Sequence, residues 1–182
     1  ALPLPTPQNT ATLQRLSIGA TVSSLTFDPP ITLGTIGINT GFYGTVLQDT
    51  ITGTTASEVL AGGPSKDRIS GNLGADLFFF DDATSLGRKN ADVIQDFSIN
   101  QWDRIAISAA EFSYLKRVRF TAINDGDSME QAAKTKNNII YDRTTGNLFV
   151  NANGSGSGFG TGGLLAKLQG HPDLYAVDIN LV

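Results

Sequence analysis

Between Gly44 and Phe79 the apolar and polar positions of this chain recur every nine residues. Aligned at that period, the segment divides into GTVLQDTIT (44–52), GTTASEVLA (53–61), GGPSKDRIS (62–70) and GNLGADLFF (71–79). Gly opens each unit, at positions 44, 53, 62 and 71. The sixth residue is always acidic (Asp49, Glu58, Asp67, Asp76) and the eighth always apolar (Ile51, Leu60, Ile69, Phe78). Repeats of this length signal a stacked architecture. Each unit predicts a six-residue turn, eased by Gly, and a three-residue strand whose middle side chain points inward. Two units then make one coil, and successive coils stack their strands in parallel. Turns alternate sides, so Asp49 lies under Asp67 on one side and Glu58 under Asp76 on the other.

The apolar column continues backwards through Phe42 and Leu33, but the matching sixth positions are Thr40 and Ile31. Residues 1–43 are thus either coils without acidic turns or, in LGTIGINTGF, an ordinary strand pair. The preceding TATLQRLSIGATVSSLTF alternates weakly, as one or two strands would. Pro29–Pro30 marks a break, and Ala1–Pro7 reads as an extended Pro-rich arm. Downstream, Val93/Ile94, Phe97 and Ile105/Ile107 have the spacing of short half-buried strands. DSMEQAAKTKN (127–137) is the best helical stretch, with Asp127 or Ser128 as N-cap. NNIIYD and NLFVNA predict a hairpin closed by Arg143–Gly146, with Gly146 where φ must be positive.

The fold class expected is mainly all-β. A short parallel β-roll is followed by antiparallel strands forming a sandwich-like cap, with one or two short helices. The divisions are an arm with strands over 1–43, the roll over 44–80 and the cap over 81–182.

Charge sharpens this picture. The formal net charge is −4, and residues 44–103 carry nine of the seventeen acids against Lys66, Arg68, Arg88 and Lys89. That belt favours a cation and disfavours nucleic acid, which needs a basic stripe. No apolar run approaches the roughly 20 residues of a membrane helix. The N-terminal residues do not have the form of a secretory leader. With no Cys there are no disulfides or thiolate metal sites.

Catalytic motifs are hard to assemble. His171, in GHPDL, is the single histidine, so HExxH chemistry cannot be built. There is no GxSxG elbow, and the Gly-rich GSGSGFGTGG (154–163) has no nucleotide-loop context. Asp81–Asp82 and Asp125 with Asp127 read as solvated loop acids, and NANGSGSG (151–158) as a hairpin loop. Trp102 reads as a packing residue.

Stacked carboxylates repel one another, and a hard divalent cation between turns relieves that repulsion. Calcium suits such an oxygen-only site. The units resemble the RTX repeat, GGxGxDx(apolar)x, of calcium-binding bacterial exoproteins. The resemblance continues downstream. Asp76/Phe78/Phe80, Asp92/Ile94/Asp96/Phe97 and Asp103/Ile105/Ile107 match the region after the repeats in serralysin-like proteins. Ile140, Tyr141, Asp142, Thr145, Gly146, Leu148, Leu168, Gly170, Pro172, Leu174 and Asp178 continue the match.

The resemblance implies a calcium-loaded roll with candidate ligands Asp49, Glu58, Gly62, Gly63, Asp67, Gly74, Asp76 and Asp92. Asp81 and Asp82 are weaker candidates to cap the last coil. Only Gly62–Gly63 keeps the double glycine. Leu47, Ala56 and Ser65 replace the fourth-position glycine, Glu58 replaces Asp, and Lys66 and Arg68 flank Asp67. One or two calcium ions are expected, or none if these departures have emptied the turns.

Asp178-Ile179-Asn180-Leu181-Val182 resembles the uncleaved signal of type I exporters, placed over 170–182. The function expected is a secreted, extracellular or cell-surface, non-enzymatic calcium-binding protein. Its role would be structural, in assembly or in adhesion, with self-association into an oligomer or fibre. Two alternatives stand beside it: the calcium-binding and secretion module of a larger exoenzyme, and a calcium-free fibre or surface-layer subunit.

Overall fold

The nine-residue units become strands as their polarity dictates. In the computed structural model, which describes residues 14–16, 40–124 and 128–182, β1 is Gln14–Leu16 and β2 is Thr40–Tyr43. The repeat strands are β3 (Thr50–Thr52), β4 (Glu58–Ala61), β5 (Arg68–Ser70) and β6 (Leu77–Phe80). Leu33, Ile31, the Pro-rich arm, most of the 1–43 strands, Asp125 and Asp127 lie outside the described residues.

Consecutive repeat strands enter different sheets. β3 pairs in parallel with β5 (Ile51↔Ile69), and β4 pairs in parallel with β2 (Phe42↔Leu60) and β6 (Leu60↔Phe78). The eighth-position residues Ile51, Leu60, Ile69 and Phe78 are at most 1 % exposed. Phe42, the described member of the backward apolar column, packs against the same core.

The pattern runs past residue 80 with longer excursions between strands. β7 (Asp92–Ile94) pairs in parallel with β5, and β8 (Arg104–Ile107) with β6. Ile94 and Ile105 extend the two inward columns, and the Phe97 ring sits 6.0 Å from that of Phe78. β13 (Ile179–Leu181) then adds to β8 in parallel.

The second sheet grows through β9 (Phe120–Ile123), β10 (Ile139–Asp142), β11 (Asn147–Val150) and β12 (Gly163–Leu168). Among the described residues the strand orders are β1-β2-β4-β6-β8-β13 and β3-β5-β7-β12-β11-β10-β9. Antiparallel pairing in the C-terminal half is confined to β10–β11–β12, whereas β9–β10, β12–β7 and β13–β8 are parallel. The C-terminal strands therefore extend the repeat sheets directly. The sheet that contains β4 is also covered on its other face, where Val59, Ala61, Leu77, Ala106 and Asn180 are buried. This explains why EVLA and LFFF read as apolar runs instead of alternating.

Local chemistry closes the elements. Gly146 takes φ 72° in the β10–β11 turn. The helix α1 spans Met129–Ala133, and Ser128 caps it by accepting from the Gln131 N–H at 3.2 Å. His171 stands exposed in the turn after β12. Trp102 differs from expectation, being 69 % exposed. It follows the 3-10 turn Ile99–Gln101 in the left-handed region, φ 70°, before β8 begins. Its side chain is thereby turned outward, with the Arg104 guanidinium 6.0 Å from the ring centroid.

Truncating the inner column should be costly. Ile69→Ala is expected to lower unfolding stability by about 2–5 kcal/mol. Val46→Ala, in a turn at 71 % exposure, should change it by no more than about 0.5 kcal/mol. Urea denaturation of the two variants measures the contrast.

Candidate functional site

Each nine-residue unit buries an acid at the entrance to its strand. Asp49, Glu58, Asp67 and Asp76 are between 0 and 3 % exposed, an unusual place for carboxylates. The backbone explains how they are held. Asp67 Oδ1 accepts the Asp49 N–H at 2.7 Å, and Asp76 Oδ1 accepts the Glu58 N–H at 2.9 Å. Asp92 Oδ1 accepts the Asp67 N–H at 2.9 Å, and Asp103 Oδ1 the Asp76 N–H at 3.0 Å. Two carboxylate columns result, Asp49–Asp67–Asp92 on one side and Glu58–Asp76–Asp103 on the other.

The structure thus brings together the residues singled out in the sequence, in two separate groups. Gly62, Gly63 and Asp92 fall with Asp49 and Asp67, while Gly74 falls with Glu58 and Asp76. Gly62 is required by its own acid: a Cβ there would meet Asp67 Oδ2 well inside 3.0 Å. Gly71 stands in the same relation to Asp76 Oδ2. Asp81, exposed, and Asp82 border a cavity of about 10 Å³ together with Gly63, Ser65, Asn90 and Asp92. That is room for about one water-sized body. Asp82 is engaged by its own loop, accepting from Thr84 N–H at 2.8 Å and Ser85 Oγ at 2.6 Å.

The turns are of two kinds. In the first two units Thr occupies the second position. Thr45 N–H donates to Asp49 Oδ2 at 2.5 Å, and Thr45 Oγ1 donates to the same oxygen at 3.1 Å. Thr54 holds Glu58 likewise, through its N–H at 3.0 Å and its hydroxyl. Each Thr hydroxyl also accepts the N–H two residues on, from Leu47 and Ala56. These turns use a side-chain hydroxyl for the local bonding that small polar residues supply in turns.

In the third and fourth units the second and fourth positions take positive φ: Gly63 83° and Ser65 86°, then Asn72 66° and Gly74 122°. Asp67 Oδ2 and Asp76 Oδ2 are buried there without a hydrogen-bond partner, as is Asp49 Oδ1 at the start of the first column. An unsatisfied buried polar atom is costly, and more so when charged.

Two acids outside the expected ligand set complete the arrangement. Asp103 closes the second column and also accepts the Ser98 N–H at 2.8 Å. Asp96 accepts the Gly71 and Asn72 N–H groups, both at 2.9 Å, and the Ser70 hydroxyl. The signal for Asp103 was present as acid–x–inward apolar: Asp67-Arg68-Ile69, Asp76-Leu77-Phe78, Asp92-Val93-Ile94 and Asp103-Arg104-Ile105.

The loop 151–158 has no ligand-like acid, and Asn151 explains it. Asn151 is buried, and its Nδ2 donates to the Ala133, Asn137 and Gly154 carbonyls at 2.8, 3.2 and 2.9 Å. A carboxylate could not donate there.

Burial raises the pKa of Asp67 to about 6, with the Asp49 charge adding to it. Burial raises Asp76 to about 7, with the charges of Asp103, Glu58 and Asp96 adding. Asp92, pushed up chiefly by burial and then by Asp67, reaches about 8. Asp103 reaches about 6, again chiefly through burial. Protons or a metal ion relieve such charge. The donors are all hard oxygens, the type calcium prefers. Among the described residues no three His, Cys, Asp or Glu side chains group around one point. A cation here would therefore draw ligands from turn carbonyls as well as from the carboxylates.

No protein-family model matches the chain, and no curated protein is significantly similar to it.

Two outcomes follow from this geometry. Gly62→Ala should lower stability by about 1–3 kcal/mol, since the Cβ displaces a packed carboxylate; thermal melting measures it. In chelator, the folded state retains protons on Asp67, Asp76, Asp92 and Asp103 that the unfolded chain has released. Stability should therefore fall as pH rises from about 4 to about 8. Urea midpoints at pH 5 and pH 8 check the sign.

Proposed function

We propose that this chain is a calcium-binding parallel β-roll protein of the RTX-like kind, secreted and non-catalytic, with a structural, assembly or adhesion role outside the cell. The observation that carries this reading is the pair of buried, unpartnered oxygens, Asp67 Oδ2 and Asp76 Oδ2, in turns with positive φ at their second and fourth positions. One such oxygen lies in each carboxylate column, which supports one or two ions. Asp67, Asp76 and the carbonyls of the turns around Gly62, Gly63 and Gly74 would hold them. Calcium supplies there the positive charge that the stacked carboxylates lack.

The same arrangement makes metal binding part of folding. With little calcium, acids that must be buried together keep the coils apart; with abundant calcium they close. This accords with export of an unfolded chain by a type I exporter. Asp178 in the proposed signal is buried against Arg104 at 3.0 Å, and Ile179–Leu181 are paired into the sheet. An exporter that reads this segment would have to meet it before folding.

The Thr45 and Thr54 turns favour a second reading, a roll that needs no metal, because they satisfy carboxylate oxygens within the chain.

Calcium titration separates the two. At a concentration about 100-fold above the dissociation constant, one ion should add about 2.7 kcal/mol of stability. Magnesium, which demands stricter geometry, should add less. The double variant Asp67→Asn/Asp76→Asn should fold and lose the calcium response. An unchanged melting curve up to about 10 mM calcium would favour the metal-free roll.

A further inference from the structure

The basic residues of this acidic chain are unevenly placed. Lys66, Arg88 and Lys167 line an open groove of about 320 Å³ together with Ala91, Val93, Leu164, Thr145 and Asn147. The sheet register builds it: Arg68 is paired with Val93, Val93 with Lys167 and Lys167 with Asn147, one row across four strands. Lys66, Arg68, Arg88 and Lys167 are exposed. Among the described residues no acid lines the groove. Among the described residues, ion pairs form at Arg104–Asp178, Lys134–Glu130 and Arg143–Asp173, and none involves these four cations.

From this we infer that the groove binds an acidic polysaccharide, independently of the calcium reading. Three features select that class. The unpaired cations match carboxylate or sulfate groups. The aliphatic lining residues Ala91, Val93 and Leu164 suit the C–H face of a sugar ring, and the Asn147 amide and Thr145 hydroxyl suit its hydroxyls. The groove is open, so a chain can pass through it. Nucleic acid fits less well, because among the described residues no aromatic side chain lines the groove to stack on a base. The acids lie elsewhere: Asp81, Asp82 and Glu111 line a different concavity, beside Tyr43 and Val46.

The test is calorimetric titration of the full chain, at fixed calcium, with hyaluronate oligosaccharides, dextran sulfate and neutral dextran. Saturable binding of the two polyanions but not of dextran is expected, weakening as salt rises. Lys66→Gln/Arg88→Gln/Lys167→Gln should weaken it by about tenfold or more. Lys116→Gln/Arg117→Gln/Lys136→Gln, the same loss of exposed charge elsewhere, should leave it unchanged. Lys66→Arg/Lys167→Arg should retain binding, which guards against a folding defect.

Absence of saturable binding, equal loss in both triple variants, or equal binding of dextran would overturn the inference. So would preference for duplex DNA or anionic vesicles. Concentration-dependent self-association abolished by the first triple variant would assign the groove to a second copy of this chain instead.

Discussion

The structure depends on buried carboxylates that serve as backbone acceptors between stacked repeat turns. Asp67 and Asp76 each take the N–H of the residue eighteen positions earlier, and Asp92 and Asp103 repeat this at separations of 25 and 27. The bond ties each turn to its stacked neighbour at the entrance to a strand, setting the register that pairs Ile51 with Ile69 and Leu60 with Phe78. It also carries negative charge into a place where water cannot solvate it. The alignment of the apolar core and the accumulation of charge therefore have the same origin.

The turns resolve that charge in different ways. Thr45 and Thr54 bring hydroxyl and N–H donors to Asp49 and Glu58, and Asp96 brings an acceptor to the N–H groups of the fourth turn. Asp67 Oδ2 and Asp76 Oδ2 have no such partner. The Thr-bearing turns carry no double glycine, whereas the third and fourth turns have a positive-φ backbone, which Ser65 and Asn72 adopt without glycine. The positive-φ turn therefore does not require glycine at every such position. At Ser65 a non-glycine residue takes the positive-φ geometry, while at Thr45 the turn is held by side-chain bonding instead.

Much of this was legible in the sequence because a repeat with an inward residue every nine positions leaves a strict trace. The four inner residues, the two carboxylate columns, the Gly146 turn and the Ser128 cap could all be read. Asp103 and Asp96 escaped the ligand set because the excursions before β7 and β8 shift the spacing. The acid–x–apolar signature survived where the period did not. The attachment of β12 and β13 to the repeat sheets depends on contacts between residues far apart in sequence, which no local pattern encodes. Trp102 was misread as packing because its left-handed backbone, which decides its direction, leaves no mark in the apolar pattern. The basic groove was hidden for a similar reason, since Lys66, Arg88 and Lys167 meet only through strand pairing.

The most direct measurement is a crystal structure of the protein grown in calcium, with anomalous scattering collected to identify the ion. The account predicts calcium at about 2.3–2.6 Å from Asp67 Oδ2 or Asp76 Oδ2, completed by turn carbonyls. The same turns with both oxygens still bare at millimolar calcium, or met only by a protein donor, would contradict it.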